Sequence, residues 1–122
     1  MERRAENNCP TAHKAPEAPY YAVIFSSTLS DNAEGYGAMA DRMVELAREQ
    51  EGFIDVESAA RTSDGFGITV SYWRDLESIK KWKNVSEHAA AQKMGRDAFY
   101  KNYRLRIARV EREYGFEREA SE

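Results

Sequence analysis

The octapeptide FGITVSYW, residues 66–73, is the clearest structural signal in the sequence, because large apolar residues alternate with mostly small ones. One side of an extended chain receives Phe66, Ile68, Val70 and Tyr72, and the other receives Gly67, Thr69, Ser71 and Trp73. This period of two predicts a β-strand with two distinct faces. Ser63-Asp64-Gly65, just before it, is a tight-turn signal, so Phe53–Arg61 is predicted to be the strand that precedes it.

The residues before this pair predict a strand followed by a helix. Tyr20–Leu29, YYAVIFSSTL, is dense in the aromatic and β-branched residues that favour strands. Asp31 and Glu34 have the spacing of a capping box, which marks the start of a helix. Apolar residues then follow at helical spacing: Tyr36, Met39, Ala40, Met43, Leu46 and Ala47. Gly52 is the predicted stop, since glycine adopts the left-handed conformation at little cost.

The residues after the octapeptide predict two helices and a last strand. Asp75 is placed to cap a short helix over 76–82. Asn84 and Glu87 form a second capping-box pattern ahead of a longer helix that runs to about Tyr100. Tyr103–Tyr114 closes the chain as a strand with apolar residues among alternating arginines and glutamates.

This order of elements predicts an α+β, ferredoxin-like domain, β-α-β-β-α-β, with a four-stranded antiparallel sheet and helices on one face. The strands are apolar on both faces, so the face without helices also needs cover. A two-fold homodimer that packs sheet against sheet supplies this cover, and we therefore expect a dimeric α+β barrel.

Length and composition limit the classes of protein to consider. The 122 residues suit one domain over 20–114, between an extension over 1–19 that holds all three prolines and a tail over 115–122. A net charge of −3 argues against nucleic acid as a partner. No apolar run is long enough to span a membrane, and no signal peptide is visible. The single cysteine, Cys9, suits a reducing cytoplasm.

Four segments carry a resemblance to a known family. Glu51-Gly52-Phe53, Tyr72-Trp73 and the stretch LESIKKW over 76–82 resemble the antibiotic-biosynthesis monooxygenase family. The run from Glu87 to Tyr100 is similar to a bacterial branch of largely uncharacterised members. The resemblance covers about Tyr20 to Tyr114 and implies a small-molecule monooxygenase that needs no metal or organic cofactor and oxidises an aromatic or quinol-like compound.

The same resemblance leaves other activities open. Some members degrade haem, using an Asn on the first strand, a Trp on the short helix and a His about ten residues later. Trp82 matches the Trp, but Gln92 occupies the His position and Tyr20–Leu29 contains no Asn, so haem degradation is disfavoured. A non-catalytic dimeric domain that binds a small hydrophobic metabolite is the alternative from another class. An isomerase or cyclase on the same scaffold is the third.

The candidate site residues lie on the third strand and on the helices that follow it. His88 is the candidate base, because only His13 competes with it, and Trp82 is the second candidate catalytic residue. The predicted substrate-binding residues are Tyr72, Trp73, Gln92, Arg96, Phe99 and Tyr100. Each aromatic residue taken singly is also explained by a place in the core, and His88 and Arg96 by solvated helix positions.

Several familiar site patterns are absent from the sequence. There is no Gly-rich phosphate loop, no dinucleotide-binding fingerprint, and no Cys-x-x-Cys or His-x-x-x-His spacing. Cys9 and His13 form only a lone pair in the N-terminal extension. The sequence therefore predicts neither a metal site nor a bound flavin or nicotinamide.

Overall fold

The computed structural model describes residues 16–31, 33–93 and 99–118, with side chains for all of these except 90–93. Six elements follow one another along the chain: β1 (Tyr20–Leu29), α1 (Tyr36–Arg48), β2 (Phe53–Ser58), β3 (Phe66–Trp73), α2 (Leu76–Lys93) and β4 (Tyr100–Val110). They confirm the predicted β-α-β-β-α-β order, and β1 and β3 have the predicted bounds. Within the described residues, no helix is both long and apolar enough to cross a membrane.

The four strands form one antiparallel sheet in the order β2-β3-β1-β4. Tyr21 lies opposite Trp73 of β3, and Val23 lies opposite Ile107 of β4. Helix α1 packs on β2, α2 packs on β3, and the two helices pack on each other. The predicted ferredoxin-like α+β fold is confirmed, and the helices lie mainly over the β2–β3 half of the sheet.

The region after Trp82 differs from the prediction, because α2 is one continuous helix instead of two. No glycine or proline interrupts residues 76–93, so nothing forces a break. Asn84 lies inside the helix, and the predicted capping box with Glu87 is wrong. Glu87 instead pairs with Lys83 one turn earlier, at 3.1 Å. The predicted cap of Asp75 is confirmed: its Oδ1 accepts a hydrogen bond from the backbone N–H of Ser78 at 2.8 Å.

The start of α1 is also different from the prediction. Gly35 is the N-cap residue, with a left-handed φ of 89°, and no side chain of the residues that the structure describes caps the helix. The capping box predicted for Asp31 and Glu34 is therefore wrong. The helix ends at Arg48 with Glu49 as its C-cap, so the stop predicted at Gly52 is also wrong. Gly52 uses its positive φ, 90°, in the turn that leads from α1 into β2.

Three strand ends differ from the predicted bounds. β2 ends at Ser58 instead of Arg61, so Arg61 belongs to the loop between β2 and β3. β4 begins at Tyr100 rather than Tyr103, and ends at Val110 rather than Tyr114. Val110 pairs with Tyr20, the first residue of β1, so among the described residues no strand is left beside it for Glu111 and later residues to pair with. The regular elements thus lie within 20–110, and residues 1–15 of the predicted N-terminal extension lie outside the described residues.

The core of the described part of the chain consists of two apolar clusters. Val23, Ala47, Trp73 and Ile79 make the first, between the sheet and both helices. Met39 and Phe99 make the second, where α1 meets the start of β4. Space remains between these clusters, because the residues of β3 that face the helices are small.

Candidate functional site

A cavity of about 730 Å³ lies between the helix-facing side of the sheet and the two helices. Its floor includes Gly67, Thr69 and Ser71 of β3, which alternate with the large residues of the opposite face. Apolar side chains of α1 and aromatic side chains of α2 and the start of β4 supply most of the wall. A mostly apolar cavity of this size with a few polar groups is typical of a small-molecule site.

One end of the cavity is formed by stacked tryptophans. Trp73 is completely buried, and its Nε1–H donates to Ser71 Oγ at 2.8 Å. The half-buried Trp82 stacks on it, with ring centroids 5.9 Å apart and planes 24° from parallel. Phe53 packs edge-on against the other side of Trp73 at 5.4 Å. The buried indole therefore fixes Trp82 as an aromatic wall of the cavity.

A second aromatic group lies where α1 meets the start of β4. Tyr36 packs edge-on against Phe99 and Tyr100, with centroid distances of 5.9 and 5.8 Å. Phe25 of β1 approaches Tyr100 at 5.4 Å. All four side chains line the cavity, so flat apolar surface meets a bound molecule at this end as well.

The polar part of this end is built around Arg61. Its Nη1 donates to the carbonyl oxygens of Ser27 at 3.1 Å and of Gly65 at 2.8 Å. Its Nη2 donates to Ser27 Oγ and to the Tyr36 hydroxyl oxygen, both at 2.9 Å. The guanidinium carbon also lies 5.0 Å from the centroid of the Tyr36 ring. Four hydrogen bonds thus hold one cation at the cavity wall.

Glycine at position 67 is what makes room for Arg61. A Cβ built on Gly67 would lie 2.8 Å from Arg61 Cγ and 3.0 Å from its Nη1. Neither Arg61 nor Tyr36 was among the residues predicted for the site. The one local signal was Gly67 itself, because an isolated glycine inside a strand often marks the close approach of another group.

The cavity brings together three of the predicted site residues. Trp82, Phe99 and Tyr100 line it, and Trp73 lies directly behind Trp82. Tyr72 lies on the opposite face of the sheet, where its hydroxyl donates to Glu57 Oε1 at 2.9 Å.

His88, the candidate base, lies elsewhere. It is exposed on α2 and lines a separate depression between the two helices, together with residues such as Met39 and Val85. It does not share a wall with Trp82 in this structure. The side chain of Gln92 and the whole of Arg96 lie outside the described residues.

The strongest pKa shifts fall on the sheet face away from the cavity. Burial, reinforced by a hydrogen bond to Glu113, raises the pKa of Tyr20 to about 12. Burial and the hydrogen bond to Glu57 raise the pKa of Tyr72 to about 12 as well. Both phenols stay protonated at neutral pH. Within the part of the chain that the structure describes, no three His, Cys, Asp or Glu side chains come close enough to hold a metal ion.

Comparison with known proteins gives one family. A sequence model of the family described as antibiotic biosynthesis monooxygenase matches residues 19–94. An uncharacterised protein of Bacillus subtilis, YqjZ, is 52% identical over 104 residues, which are 85% of this chain and 90% of that protein. A jasmonate monooxygenase of Pyricularia oryzae is 28% identical over 92 residues, covering 74% of this chain and 43% of that longer protein.

Solved structures give the same fold. SnoaB, a cofactor-independent oxygenase from Streptomyces nogalater, superposes with a TM-score of 0.59 over 86% of this chain and all of that chain, at 11% identity. PA3566 from Pseudomonas aeruginosa superposes with a TM-score of 0.61 over 82% of this chain and all of that chain, at 19% identity. At these identities the likeness concerns the fold.

Proposed function

Because the chain belongs to the antibiotic biosynthesis monooxygenase family, we propose that it oxidises an aromatic or quinol-like compound with O2, without a metal or organic cofactor, in the cavity between sheet and helices. The observation that carries the proposal is the aromatic lining of that cavity at both ends. A relative named for jasmonate oxidation and a structural neighbour named as a cofactor-independent oxygenase support the class of reaction.

The proposed reaction needs no external reductant. Deprotonation of the substrate leaves an electron-rich anion, which gives one electron to O2 and then combines with the resulting superoxide to form a peroxide. Loss of water from the protonated peroxide converts a CH2 group into C=O, so one oxygen atom enters the substrate and the other leaves as water. The protein must exclude bulk water, orient the anion and stabilise its charge.

In this proposal Trp82, Phe99 and Tyr100 hold the flat faces of the substrate, and Trp73 fixes Trp82. Gln92 and Arg96 remain predicted substrate-binding residues. His88 and Tyr72 have no role in it, because the first lines a different depression and the second faces the other side of the sheet. The proposal keeps the cytoplasmic location expected from the sequence.

Oxygen consumption tests the proposal directly. The purified protein is given a quinol and an anthrone while dissolved O2 is followed, and the product formed under ¹⁸O2 is analysed for one labelled oxygen. We expect consumption above the uncatalysed rate, and a loss of about tenfold or more in Trp82→Ala, since misplacing a substrate is this costly. Arg74→Gln, an exposed change outside the cavity, is the matched control. A rate of O2 consumption no faster than that without protein would contradict the proposal. A large loss of this rate in His88→Ala would show that His88 is the base.

The alternative is a domain that binds a small hydrophobic molecule without oxidising it. One observation favours it: among the described residues that line the cavity none is a histidine, and the carboxylate groups there are those of Asp41 and Glu57, the second of which accepts a hydrogen bond from Tyr72. Tight binding of the same quinol with no consumption of O2 is the result that this alternative predicts. An isomerase or cyclase would instead transform its substrate under anaerobic conditions.

We also propose that the protein is a homodimer that buries the sheet face away from the helices. On this face Phe66 and Ile68 remain 41% and 44% exposed, although both are large and apolar. Light scattering with gel filtration measures the assembly. The expected mass is twice 14.0 kDa for the native chain, and Ile68→Glu is expected to shift it to the monomer. A native chain that is monomeric at high concentration contradicts the dimer.

A further inference from the structure

Arg61 is half-buried, and each hydrogen-bond partner that it has among the described residues is neutral. Its four hydrogen bonds reach two backbone carbonyls, a serine hydroxyl and a phenol. Among the residues that the structure describes, no carboxylate forms an ion pair with it. A half-buried cation without a counter-ion favours negative charge nearby, because such charge is not fully screened by water.

The Tyr36 hydroxyl connects Arg61 with the cavity. Its oxygen accepts a hydrogen bond from Arg61 Nη2 at 2.9 Å, so its own proton is left to be donated elsewhere. In the described part of the chain, no side chain or backbone group accepts that proton. The ring is fixed by Phe99 and Tyr100 and by the guanidinium. Tyr36 therefore presents one oriented O–H donor, strengthened by a neighbouring cation, at the cavity wall.

We propose that Tyr36 binds the substrate oxygen on which negative charge develops, and that Arg61 is the positioning residue that orients and polarises it. This inference rests on the proposed oxidation and deepens it: the substrate carries a phenol or an enolisable carbonyl whose oxygen accepts from Tyr36. The O–H or C–H bond of that substrate breaks, its proton passes to water, and the electron pair becomes delocalised onto the oxygen held by Tyr36. Stabilising this anion makes the substrate more acidic, so a histidine base inside the cavity is not needed.

Ionisation of a bound phenol tests this without any turnover. The probe is 2-naphthol, whose anion absorbs at longer wavelength than tyrosinate, and the control ligand is 2-methylnaphthalene, in which a methyl group replaces the hydroxyl. The pH of the complex is raised stepwise and the naphtholate band is followed. We expect Tyr36→Phe and Arg61→Gln each to reduce the acid ionisation constant of the bound naphthol about tenfold, which is one pKa unit.

A structural role alone gives a different result. Loss of packing would weaken the binding of both ligands. Loss of the donor alone leaves the affinity for 2-methylnaphthalene within about twofold of that of the native protein, since no hydrogen bond to that ligand is lost. Tyr114→Phe, at a side chain that is 83% exposed, and Arg74→Gln are the matched controls. Arg61→Lys keeps the charge but not the fork of four bonds, and we expect it to restore part of the ionisation constant. Tyr36→Phe keeps the ring, so an unchanged ionisation constant of bound 2-naphthol in this variant overturns the inference. An equal loss of affinity for both ligands overturns it as well.

The two proposals fail in different ways. If the native protein ionises 2-naphthol more readily than Tyr36→Phe but consumes no O2 with any quinol or anthrone, the oxidation is wrong and the anion site stands. If it consumes O2 while Tyr36→Phe has unchanged kcat and unchanged naphthol ionisation, the oxidation stands and the role of Tyr36 is wrong. With both correct, Tyr36→Phe lowers kcat about tenfold and leaves KM nearly unchanged, because the donor acts most strongly on the developing anion.

Discussion

The two faces of strand β3 differ in side-chain size, and three of the smaller residues lie beneath the helices, where larger apolar residues would be expected. The face beneath the helices carries Gly67, Thr69 and Ser71, whereas the uncovered face carries Phe66 and Ile68, each more than 40% exposed. Covering small residues with two helices leaves a cavity between the layers. Leaving large apolar residues uncovered creates a surface suited to another protein layer. The size of the side chains on a sheet face thus determines whether the layer packed over that face leaves a cavity or fills the space.

The largest effect is expected on the covered face, at Trp73. Trp73→Ala should lower the free energy of unfolding by about 3–5 kcal/mol, because it removes a completely buried side chain and the support of Trp82. Urea unfolding followed by circular dichroism measures this. Phe116→Ala, at a side chain that is 84% exposed, should change it by less than about 0.5 kcal/mol. Equal values for the two variants would mean that Trp73 does not organise the covered face.

A methyl group added to the floor of the cavity should have the next largest effect. Gly67→Ala places a Cβ 2.8 Å from Arg61 Cγ, and Arg61 cannot shift without losing hydrogen bonds, so we expect a loss of about 1–3 kcal/mol. Gly37→Ala in α1 is the matched control, because nothing lies within 4 Å of its added methyl group. It should raise stability by up to about 1 kcal/mol, as alanine favours helix. A gain in both variants would show that Arg61 is not held tightly against Gly67.

The uncovered face should respond to alkaline pH. The folded pKa of Tyr72, about 12, lies above its ordinary value of 10.0, so folding favours the protonated phenol. This contribution to stability is present below pH 10 and is lost as the pH rises toward 12. A tyrosinate absorbance titration should lose one late-ionising group in Tyr72→Phe. In Glu57→Gln the pKa of Tyr72 should fall toward 10, and an unchanged titration there would contradict the role of this carboxylate.

The smallest effect on a single chain is expected at Phe66. Phe66→Ser should change the stability of the monomer by about 0.5 kcal/mol or less, because the side chain is 41% exposed. If this face pairs with a second copy, the native protein gains stability as its concentration rises, and the variant gains less. Thermal unfolding over a hundredfold range of protein concentration measures this difference between the native protein and the variant. A native midpoint that does not depend on concentration would contradict the pairing.

Patterns within short segments predicted most of the fold. The alternation in residues 66–73 and the aromatic run Tyr20–Leu29 gave correct strand bounds, and Asp75 marked the start of a helix correctly. The errors came where two local signals competed. Asn84 and Glu87 matched a capping box, but an uninterrupted helix that packs on β3 was the more stable arrangement.

The candidate site was predictable only in its apolar part. Trp82, Phe99 and Tyr100 line the cavity, because large aromatic residues near the core also line any space within it. The position of His88 relative to Trp82 depends on how α2 is rotated and packed against α1 and β3, which the residue types alone do not reveal. Arg61 reaches Ser27 and Tyr36 across 34 and 25 residues of sequence, so no spacing pattern connects them.

The order of strands and helices and the two unlike faces of β3 follow from the amino-acid sequence, because strand alternation and helical spacing are local properties of the chain. Which face the helices cover, and therefore where the cavity lies, depends on tertiary packing. The same packing brought a loop arginine against a glycine of β3 and the first tyrosine of α1. That choice depends on contacts between residues far apart in the chain, since the fit of whole surfaces selects among arrangements that local patterns leave equal.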